Sequence, residues 1–162
     1  MNERGFSLIE LLTILAILAT LLAIGTISFS SWQTRYAVEK QTKELFADIS
    51  DLRLKAIHGK RLHRVTFAPH SLSCESYSPE DEALAAGSKV LSKQLHYTIT
   101  KGNGDSLAGE KVDFNSRGFL NNGIGITIRV SSKANDAPFD CIIISDARTN
   151  MGKMKEGTCY AK

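Results

Sequence analysis

Glu10 is the residue whose chemistry most needs an explanation in this sequence. It is the only ionisable side chain from Phe6 to Phe29, an apolar run long enough to cross the ~30 Å core of a membrane as a helix. A carboxylate costs at least ~2.5 kcal/mol at the centre of a bilayer, and somewhat less near its edge. The nearby chain supplies no partner, so the sequence predicts that the partner of Glu10 lies on another molecule.

Residues typical of an enzyme are not arranged for catalysis. Ser71, Ser73 and Ser116 lack the context of a nucleophile elbow, and no glycine-rich phosphate loop follows a strand pattern. The four histidines include no His-x-x-x-His pair. We therefore expect a structural or binding protein that is not an enzyme and has no metal site and no cofactor.

The residues at the start of the apolar run form a specific motif. Gly5-Phe6-Ser7-Leu8-Ile9-Glu10 resembles the processing site of type IV prepilins and pseudopilins. The resemblance implies that a prepilin peptidase cuts between Gly5 and Phe6, and that the enzyme's N-methyltransferase activity then methylates the new amino group of Phe6. It also implies that Glu10 pairs with the Phe6 ammonium of a neighbouring subunit during assembly. Such a pair costs less than a lone buried carboxylate and fixes the register between helices.

The flanks predict how the segment is placed. We expect residues 1–5 to be a leader peptide and residues 6–30 to be the transmembrane and assembly half of a long helix. Arg4 marks the cytoplasmic side. The resemblance implies a single-pass protein of the bacterial inner membrane with its head in the periplasm, found after assembly in a pilus or pseudopilus. A signal anchor that merely holds a soluble domain is the alternative on hydropathy alone. Many major pilins have a helix-kinking proline here, whereas this segment has only Gly25 as a weak point.

The helix is expected to continue beyond the apolar run. Trp32–His58 contains neither proline nor glycine, and Gly59 is a reasonable stop just past the helix end. Residues 31–59 would form its amphipathic half, because apolar side chains recur there at spacings of three, four and seven. This stripe consists of Val38, Leu45, Ile49, Leu52 and Ala56.

After Gly59 the pattern becomes that of short strands separated by turns. The predicted strands are Arg64–Phe67, Leu72–Tyr77, Gln94–Thr100, Val112–Asn115, Ile124–Val130 and Phe139–Ser145. Ser78–Ser88 is predicted to be a loop or a short helix. The fold class is therefore α+β: a long N-terminal helix, then a β-rich head over residues 60–162. Its small antiparallel sheet would pack on the C-terminal half of the helix.

The head carries a second, looser resemblance. Phe114-Asn115-Ser116-Arg117-Gly118, an alternating strand, Cys141-Ile142-Ile143-Ile144-Ser145 and a late Cys159 are together similar to the GspH/FimT group of minor pilins and pseudopilins. The resemblance implies a structural subunit that inserts into, or primes, a type IV pilus or a type II secretion pseudopilus. Its partners would be other pilins or pseudopilins, bound through the N-terminal helix.

The same resemblance suggests a disulfide between Cys141 and Cys159. Cys74 would then be buried as a small apolar side chain or paired with one of the other two. The alternative is that all three cysteines are reduced and structural, and the sequence alone does not choose between these arrangements.

DNA uptake in natural transformation is the alternative function. Members of the group often have a Gly-Arg-x-Arg element after the last core strand, which contacts DNA in the DNA-binding members. The matching positions here are Ala147-Arg148-Thr149-Asn150, and only Arg148 is retained. Lys153 and Lys155 would partly replace the lost charge, because phosphate contacts need charge more than fixed spacing. Arg117 and Arg129 are further candidates. The eroded element favours the structural role.

The charge distribution adds one more candidate surface. The chain has 20 Lys and Arg against 17 Asp and Glu, for a formal charge of +3. Residues 52–73 contain no acid, and we expect a solvated helix end whose cations favourably meet the helix dipole. Binding of nucleic acid or lipid headgroups is the alternative for this segment. Its basic residues are Arg53, Lys55, His58, Lys60, Arg61, His63 and Arg64.

Overall fold

The computed structural model of the chain describes residues 7–77, 87–121, 123–130 and 137–162, without the side chains of residues 24–28. Gly5, Phe6 and most of the predicted loop at Ser78–Ser88 lie outside these ranges. The elements are α1 Leu8–Gly59, β1 Leu62–Ala68, β2 Ser71–Tyr77, β3 Ser88–Gln94, β4 Ile99–Lys101, β5 Lys111–Phe114, β6 Ile126–Val130, β7 Cys141–Ile144, β8 Thr149–Lys155 and β9 Thr158–Ala161. The α+β fold class is confirmed.

Two compact units divide the chain, residues 1–34 and residues 35–162. In the first unit, the described part of α1 leaves its large apolar side chains exposed. Within the described residues, no helix combines the length and the apolarity required of a membrane span. The assignment of residues 6–30 to a membrane stays a prediction. The exposed apolar side chains include Leu8, Ile9, Leu12, Ile17, Leu21, Leu22 and Phe29.

In the second unit, α1 presents one apolar stripe to the core. The stripe predicted from the sequence is confirmed, because all five of its side chains are at most 1% exposed. The hydroxyl of Thr42, which is also buried, donates to the carbonyl of Val38 at 2.9 Å and so needs no partner outside the helix. Burial of a stripe of this kind stabilises the helix by about 1.5–3 kcal/mol for each large aliphatic side chain.

The head contains two antiparallel sheets rather than the single small sheet that the sequence predicts. Sheet A has the strand order β3-β2-β1-β5, and sheet B has the order β4-β6-β7-β8-β9. Their buried side chains join the α1 stripe in one hydrophobic cluster. Sheet A contributes Val65, Phe67, Leu72, Val112 and Phe114, and sheet B contributes Ile99, Ile128, Val130, Ile142 and Ile144.

The chain passes from sheet A to sheet B within the predicted strand Gln94–Thr100, so that prediction is wrong. The amide of Leu95 donates to the carbonyl of His70, and the amide of Ile99 donates to the carbonyl of Pro69, both at 2.8 Å. Between them, the side-chain amide of Gln41 on α1 bonds both the N–H and the carbonyl of Tyr97 at 2.8 Å. This clamp satisfies backbone groups that would otherwise pair in a sheet, and it separates β3 from β4.

Three strands have no counterpart in the sequence prediction. β3 is an edge strand whose side chains are mostly exposed, so it lacks the alternation that marks a half-buried strand. β8 contains Gly152 in its interior, and glycine is unusual there. β8 and β9 are joined by a tight turn in which Glu156 and Gly157 both have positive φ, 48° and 81°, as a two-residue hairpin loop requires.

α1 ends in a left-handed turn. The amide of Arg61 donates to the carbonyl of Ala56 at 3.3 Å, and Lys60 between them has a φ of 51°. This bonding is typical of a Schellman motif, in which the left-handed residue is usually glycine. Gly59, which was predicted to lie just past the helix, is instead its last residue. Lys60 therefore adopts the left-handed conformation, which a glycine would adopt at a lower cost in free energy.

Candidate functional site

Glu10 lies in the first turn of α1, where the structure places its backbone firmly. The carbonyl of Ser7 accepts hydrogen bonds from the amides of Glu10 at 3.1 Å and Leu11 at 3.2 Å. A carboxylate in this turn gains about 0.3–1 kcal/mol from the helix dipole. This gain is smaller than the cost of at least ~2.5 kcal/mol at the centre of a bilayer. A local role therefore does not remove the need for a partner if the segment leaves water.

Two neutral polar side chains of the first helical unit, those of Thr13 and Thr20, differ from that of Glu10. The hydroxyl of Thr13 donates to the carbonyl of Glu10 at 2.9 Å, and the hydroxyl of Thr20 donates to the carbonyl of Ile17 at 2.8 Å. Both hydroxyls donate to a carbonyl of the helix itself, so neither threonine would leave an unsatisfied donor in an apolar environment. Glu10, the ionisable group of the run, is the side chain that would require a partner if the segment left water.

The three predicted DNA-contact residues occupy different environments. Arg148 lies exposed between β7 and β8, and Lys155 is exposed at the end of β8. The ammonium of Lys153 instead donates to the carbonyl of Ala137 at 2.7 Å and lies 3.2 Å from Oδ2 of Asp140. Lys153 is therefore engaged within the head. The assignment of these residues to DNA binding stays a prediction.

Asp140 explains why Lys153 points inward. Its side chain is 1% exposed, and its Oδ1 accepts the amide of Met154 at 2.6 Å. Its Oδ2 has no hydrogen-bond partner among the described residues. The Lys153 ammonium at 3.2 Å balances the charge of this oxygen without hydrogen-bonding geometry. The pair ties the segment before β7 to β8 and compensates a buried carboxylate.

Arg53 lies in an environment that the sequence does not predict. It was predicted to belong to a solvated helix end, but its guanidinium donates to the backbone carbonyls of Gly118, Ser145, Asp146 and Arg148 at 2.7–3.4 Å. It also lies 4.7 Å from the centroid of the Phe114 ring. Burial lowers the pKa of Arg53, with Asp146 opposing this shift. No sequence signal separates Arg53 from the cations around it.

Arg64 was also predicted to lie on a solvated surface, but its guanidinium is paired within sheet A. It makes two parallel hydrogen bonds to Asp113, from Nε to Oδ1 at 2.7 Å and from Nη2 to Oδ2 at 2.5 Å. The two residues face each other across β1 and β5, and both are about 16% exposed. Asp113 raises the pKa of Arg64 through these hydrogen bonds. This cation serves the pairing of two strands of sheet A.

The disulfide suggested by the resemblance is confirmed. Cys141 of β7 is bonded to Cys159 of β9, which makes the bond reach past the intervening strand β8. Gly152 faces Cys141 in the register, and a Cβ at this position would lie 2.9 Å from Sγ of Cys159 and 2.2 Å from the carbonyl oxygen of Tyr160. Glycine is therefore required where the disulfide passes β8.

Cys74 is the free cysteine, and it is buried. Of the two roles left open for it, a small apolar side chain in the core is the one observed. Burial raises the pKa of its thiol to about 12. A thiol of this kind is a poor nucleophile at neutral pH, because the thiolate is the reactive form.

One surface groove of about 580 Å³ lies beside β5 and the start of β6. Its charged side chains are Lys101, Glu110 and Lys111, and the first two form an ion pair with each other. The described residues also contain no group of three His, Cys, Asp or Glu side chains that would hold a metal ion. Nothing in the groove assembles a nucleophile with a base.

Comparisons with known proteins agree with both parts of the chain. Residues 1–26 match the model of the prokaryotic N-terminal methylation motif. The fold is similar to that of the type IV minor pilin FimU of Pseudomonas aeruginosa in two crystal forms. In space group P21, the TM-score is 0.57 at 16% identity, over 80% of this chain and 99% of FimU. In P65, it is 0.53 at 17% identity, over 75% and 98%.

A search of the curated proteins found no match. Both solved structures are of a type IV minor pilin. At this level of identity, the structural likeness establishes the fold. The chain thus begins with a prokaryotic N-terminal methylation motif and has the fold of a type IV minor pilin.

Proposed function

We propose that this chain is a minor pilin or pseudopilin, a structural subunit that inserts into, or primes the assembly of, a type IV pilus or a type II secretion pseudopilus. The observation that carries this proposal is the methylation motif at residues 1–26 on a chain with a minor-pilin fold. In this proposal, the chain is cleaved and methylated at the motif. The surface of the head distinguishes this subunit from the other subunits of the filament.

Maturation creates the assembly chemistry in this proposal. A prepilin peptidase cuts between Gly5 and Phe6 and methylates the new amino group of Phe6. The resulting ammonium is the partner that Glu10 lacks among the described side chains, and it is supplied by a neighbouring subunit. Because Glu10 lies in the first turn of α1, its carboxylate is held close to the start of the helix, where a neighbour's amino terminus can meet it.

The exposed apolar surface of the first helical unit supports the same proposal. Leu8 is 76% exposed, Leu22 is 70% exposed, and the other large apolar side chains between them are 43–66% exposed. A surface of this size in water would lead to association. We propose that residues 6–30 lie in the inner membrane before assembly and against other pilins or pseudopilins afterwards, with the head of residues 60–162 in the periplasm.

Substitution of Gly5 tests the assignment. We expect Gly5→Ala to block cleavage, so that full-length protein accumulates in the inner membrane, whereas wild-type protein loses five residues and gains a methyl group. Intact-mass spectrometry of the purified proteins distinguishes the two products. Normal trimming of the variant would refute the prepilin assignment.

A strain that lacks this protein identifies the filament in which the subunit acts, when piliation, protein secretion and transformation are all measured in it.

DNA capture is a second candidate, and one observation favours it. Arg117 and Arg148 are both exposed, and they lie on two loops that are bonded to the same Arg53 guanidinium. Two exposed arginines on loops that bind one guanidinium suit contacts to phosphates. Against it stand the loss of the arginine element and the engagement of Lys153 with Asp140.

A gel-shift experiment with the full-length protein in nonionic detergent separates the two candidates. DNA capture predicts binding that weakens as salt rises, and that weakens further in Arg117→Ala and Arg148→Ala. Lys89→Ala, which removes an equal charge from the exposed edge strand β3, is the control. No binding at low salt would leave the structural subunit as the sole proposal.

A further inference from the structure

Arg53 joins the helix to loops of both sheets at one point. Its Nη1 donates to the carbonyls of Gly118 at 3.0 Å and Asp146 at 2.7 Å, and its Nη2 donates to those of Ser145 at 2.8 Å and Arg148 at 3.4 Å. Gly118 follows β5 of sheet A, and the other three residues connect β7 to β8 of sheet B. One side chain of α1 therefore contacts two loops far apart in sequence.

The two loops are built to receive this side chain. Gly118 has a φ of 81°, and a Cβ there would lie 2.7 Å from Cδ1 of Ile57, one helical turn beyond Arg53. Glycine lets this loop approach the helix closely enough for its carbonyl to reach the guanidinium. The loops also contact each other, because the amide of Leu120 donates to Oδ1 of Asp146 at 3.0 Å.

The acceptors explain why the residue is arginine. All four are neutral carbonyls arranged around a planar fork, while the Phe114 ring lies 4.7 Å from the guanidinium carbon. A lysine ammonium would present its three donors from one atom and would not reach four acceptors around a plane. The half-buried guanidinium makes no hydrogen bond to a carboxylate of the described residues, so its hydrogen bonds all go to the backbone of the two loops.

We propose that Arg53 is a positioning residue, a latch by which α1 holds the loop after β5 and the loop between β7 and β8 in place together. The loops that carry Arg117 and Arg148 keep their arrangement only while the guanidinium occupies the four-carbonyl site. This role goes beyond the proposed assembly function, which depends on the first turn of α1. A change at this point of the helix would therefore alter a loop of sheet A and a loop of sheet B together.

Hydrogen exchange of the full-length protein in detergent, followed by mass spectrometry, tests the latch. In Arg53→Ala we expect the amides of residues 115–121 and 145–149 to exchange about tenfold faster or more, and to do so together. Strands β1 and β7 should keep their protection. Arg53→Lys should restore protection only in part. Lys55→Ala is the matched control, since Lys55 lies on the same helix and pairs with Asp51 in an exposed position.

Chemical rescue distinguishes a latch from a general loss of packing. Guanidinium at low millimolar concentration should slow exchange of both loops in Arg53→Ala, because it can occupy the site left by the side chain, whereas the same concentration of sodium should not. Opening of only one loop, absence of rescue, or equal opening in Lys55→Ala would overturn the proposal.

A second variant keeps the test decisive if Arg53→Ala does not fold. Gly118→Ala pushes its loop away from Ile57, with the added Cβ 3.4 Å from Cγ of Arg53, and retains the Arg53 side chain. If the guanidinium couples the loops, residues 145–149 will exchange faster as well as residues 115–121, and this coupling will persist when Gly118→Ala is combined with Asp146→Ala, which removes the direct Leu120–Asp146 bond. Faster exchange confined to residues 115–121 would show that the loops are held independently.

Discussion

At the scale of single residues, the head depends on a few side chains in unusual surroundings. Arg53 is a half-buried cation whose two Nη atoms donate to backbone carbonyls, and Asp140 is a buried carboxylate held by one amide and one ammonium. Each is costly to bury alone and becomes tolerable only through its partners. Substitution of such a residue therefore removes more stability than its own contacts contribute, because it leaves buried partners unsatisfied.

Lys60 offers a stabilising substitution. A residue other than glycine in the left-handed conformation costs about 1 kcal/mol, and Lys60 adopts it with a φ of 51°. We expect Lys60→Gly to raise the free energy of unfolding by about 0.5–1 kcal/mol, measured by thermal or urea unfolding followed by circular dichroism. Gly157→Ala, at a φ of 81° in the β8–β9 turn, is the opposite control and should destabilise. A destabilised Lys60→Gly would mean that the lysine side chain makes a contribution of its own.

We expect the folded protein to lose stability at alkaline pH because of Cys74. Burial raises the pKa of its thiol from 9.0 to about 12. Between these values the unfolded chain has lost the proton that the folded protein still binds, so unfolding is favoured as the pH rises. The contribution is complete below pH 9. Above it, the free energy of unfolding should fall by about 1.4 kcal/mol per pH unit more in the wild type than in Cys74→Ala. Parallel pH profiles of the two proteins in urea unfolding would contradict this.

At the scale of elements, β9 is the strand that most depends on a covalent bond. Among the described strands it pairs with β8 alone, and its side chains are largely exposed, so it buries little apolar surface of its own. The disulfide to β7 holds it in place, past Gly152. Local unfolding of this C-terminal strand is the event that the disulfide opposes.

Gly152→Ala tests the passage of the disulfide past β8. The added Cβ would lie 2.2 Å from the carbonyl oxygen of Tyr160, so β9 must shift and the two sulfurs must separate or the strand must distort. We expect the free energy of unfolding to fall by about 2–5 kcal/mol, the usual cost of losing a native disulfide. Titration of free thiols should show Cys141 and Cys159 partly reduced after purification. Gly59→Ala, which meets nothing within 4 Å, is the control. An intact disulfide with unchanged stability would refute this account.

At the scale of the whole molecule, the chain combines a helical unit with an exposed apolar surface and a head with its own hydrophobic core. The first unit exposes its apolar side chains, whereas the second has one continuous core. We propose that assembly belongs to the first and identity to the second. The two functions are then separable by substitution.

Glu10→Ala examines that separation. If the carboxylate pairs with the Phe6 ammonium of a neighbour, the variant will be cleaved and methylated normally but will enter filaments several-fold less efficiently. Immunoblots of sheared filaments against whole cells measure the incorporation. Lys89→Ala on the exposed strand β3 serves as a control that should be incorporated normally. Unchanged incorporation of Glu10→Ala would show that the intermolecular pair is not required.

The sequence by itself determined the features that depend on local pattern. The processing motif, the long helix, its five-residue stripe and most strands of sheet A follow from spacing and residue type over a few turns, and the disulfide followed from a family resemblance. Tertiary structure alone decided that the head has two sheets, because Gln41 meets Tyr97 across 56 positions. It also decided that Arg53 holds loops up to 95 positions away and that Lys153 points inward to Asp140. The physical reason is that a charged side chain looks the same in sequence whether water or a set of carbonyls surrounds it, and only the folded chain brings those carbonyls together.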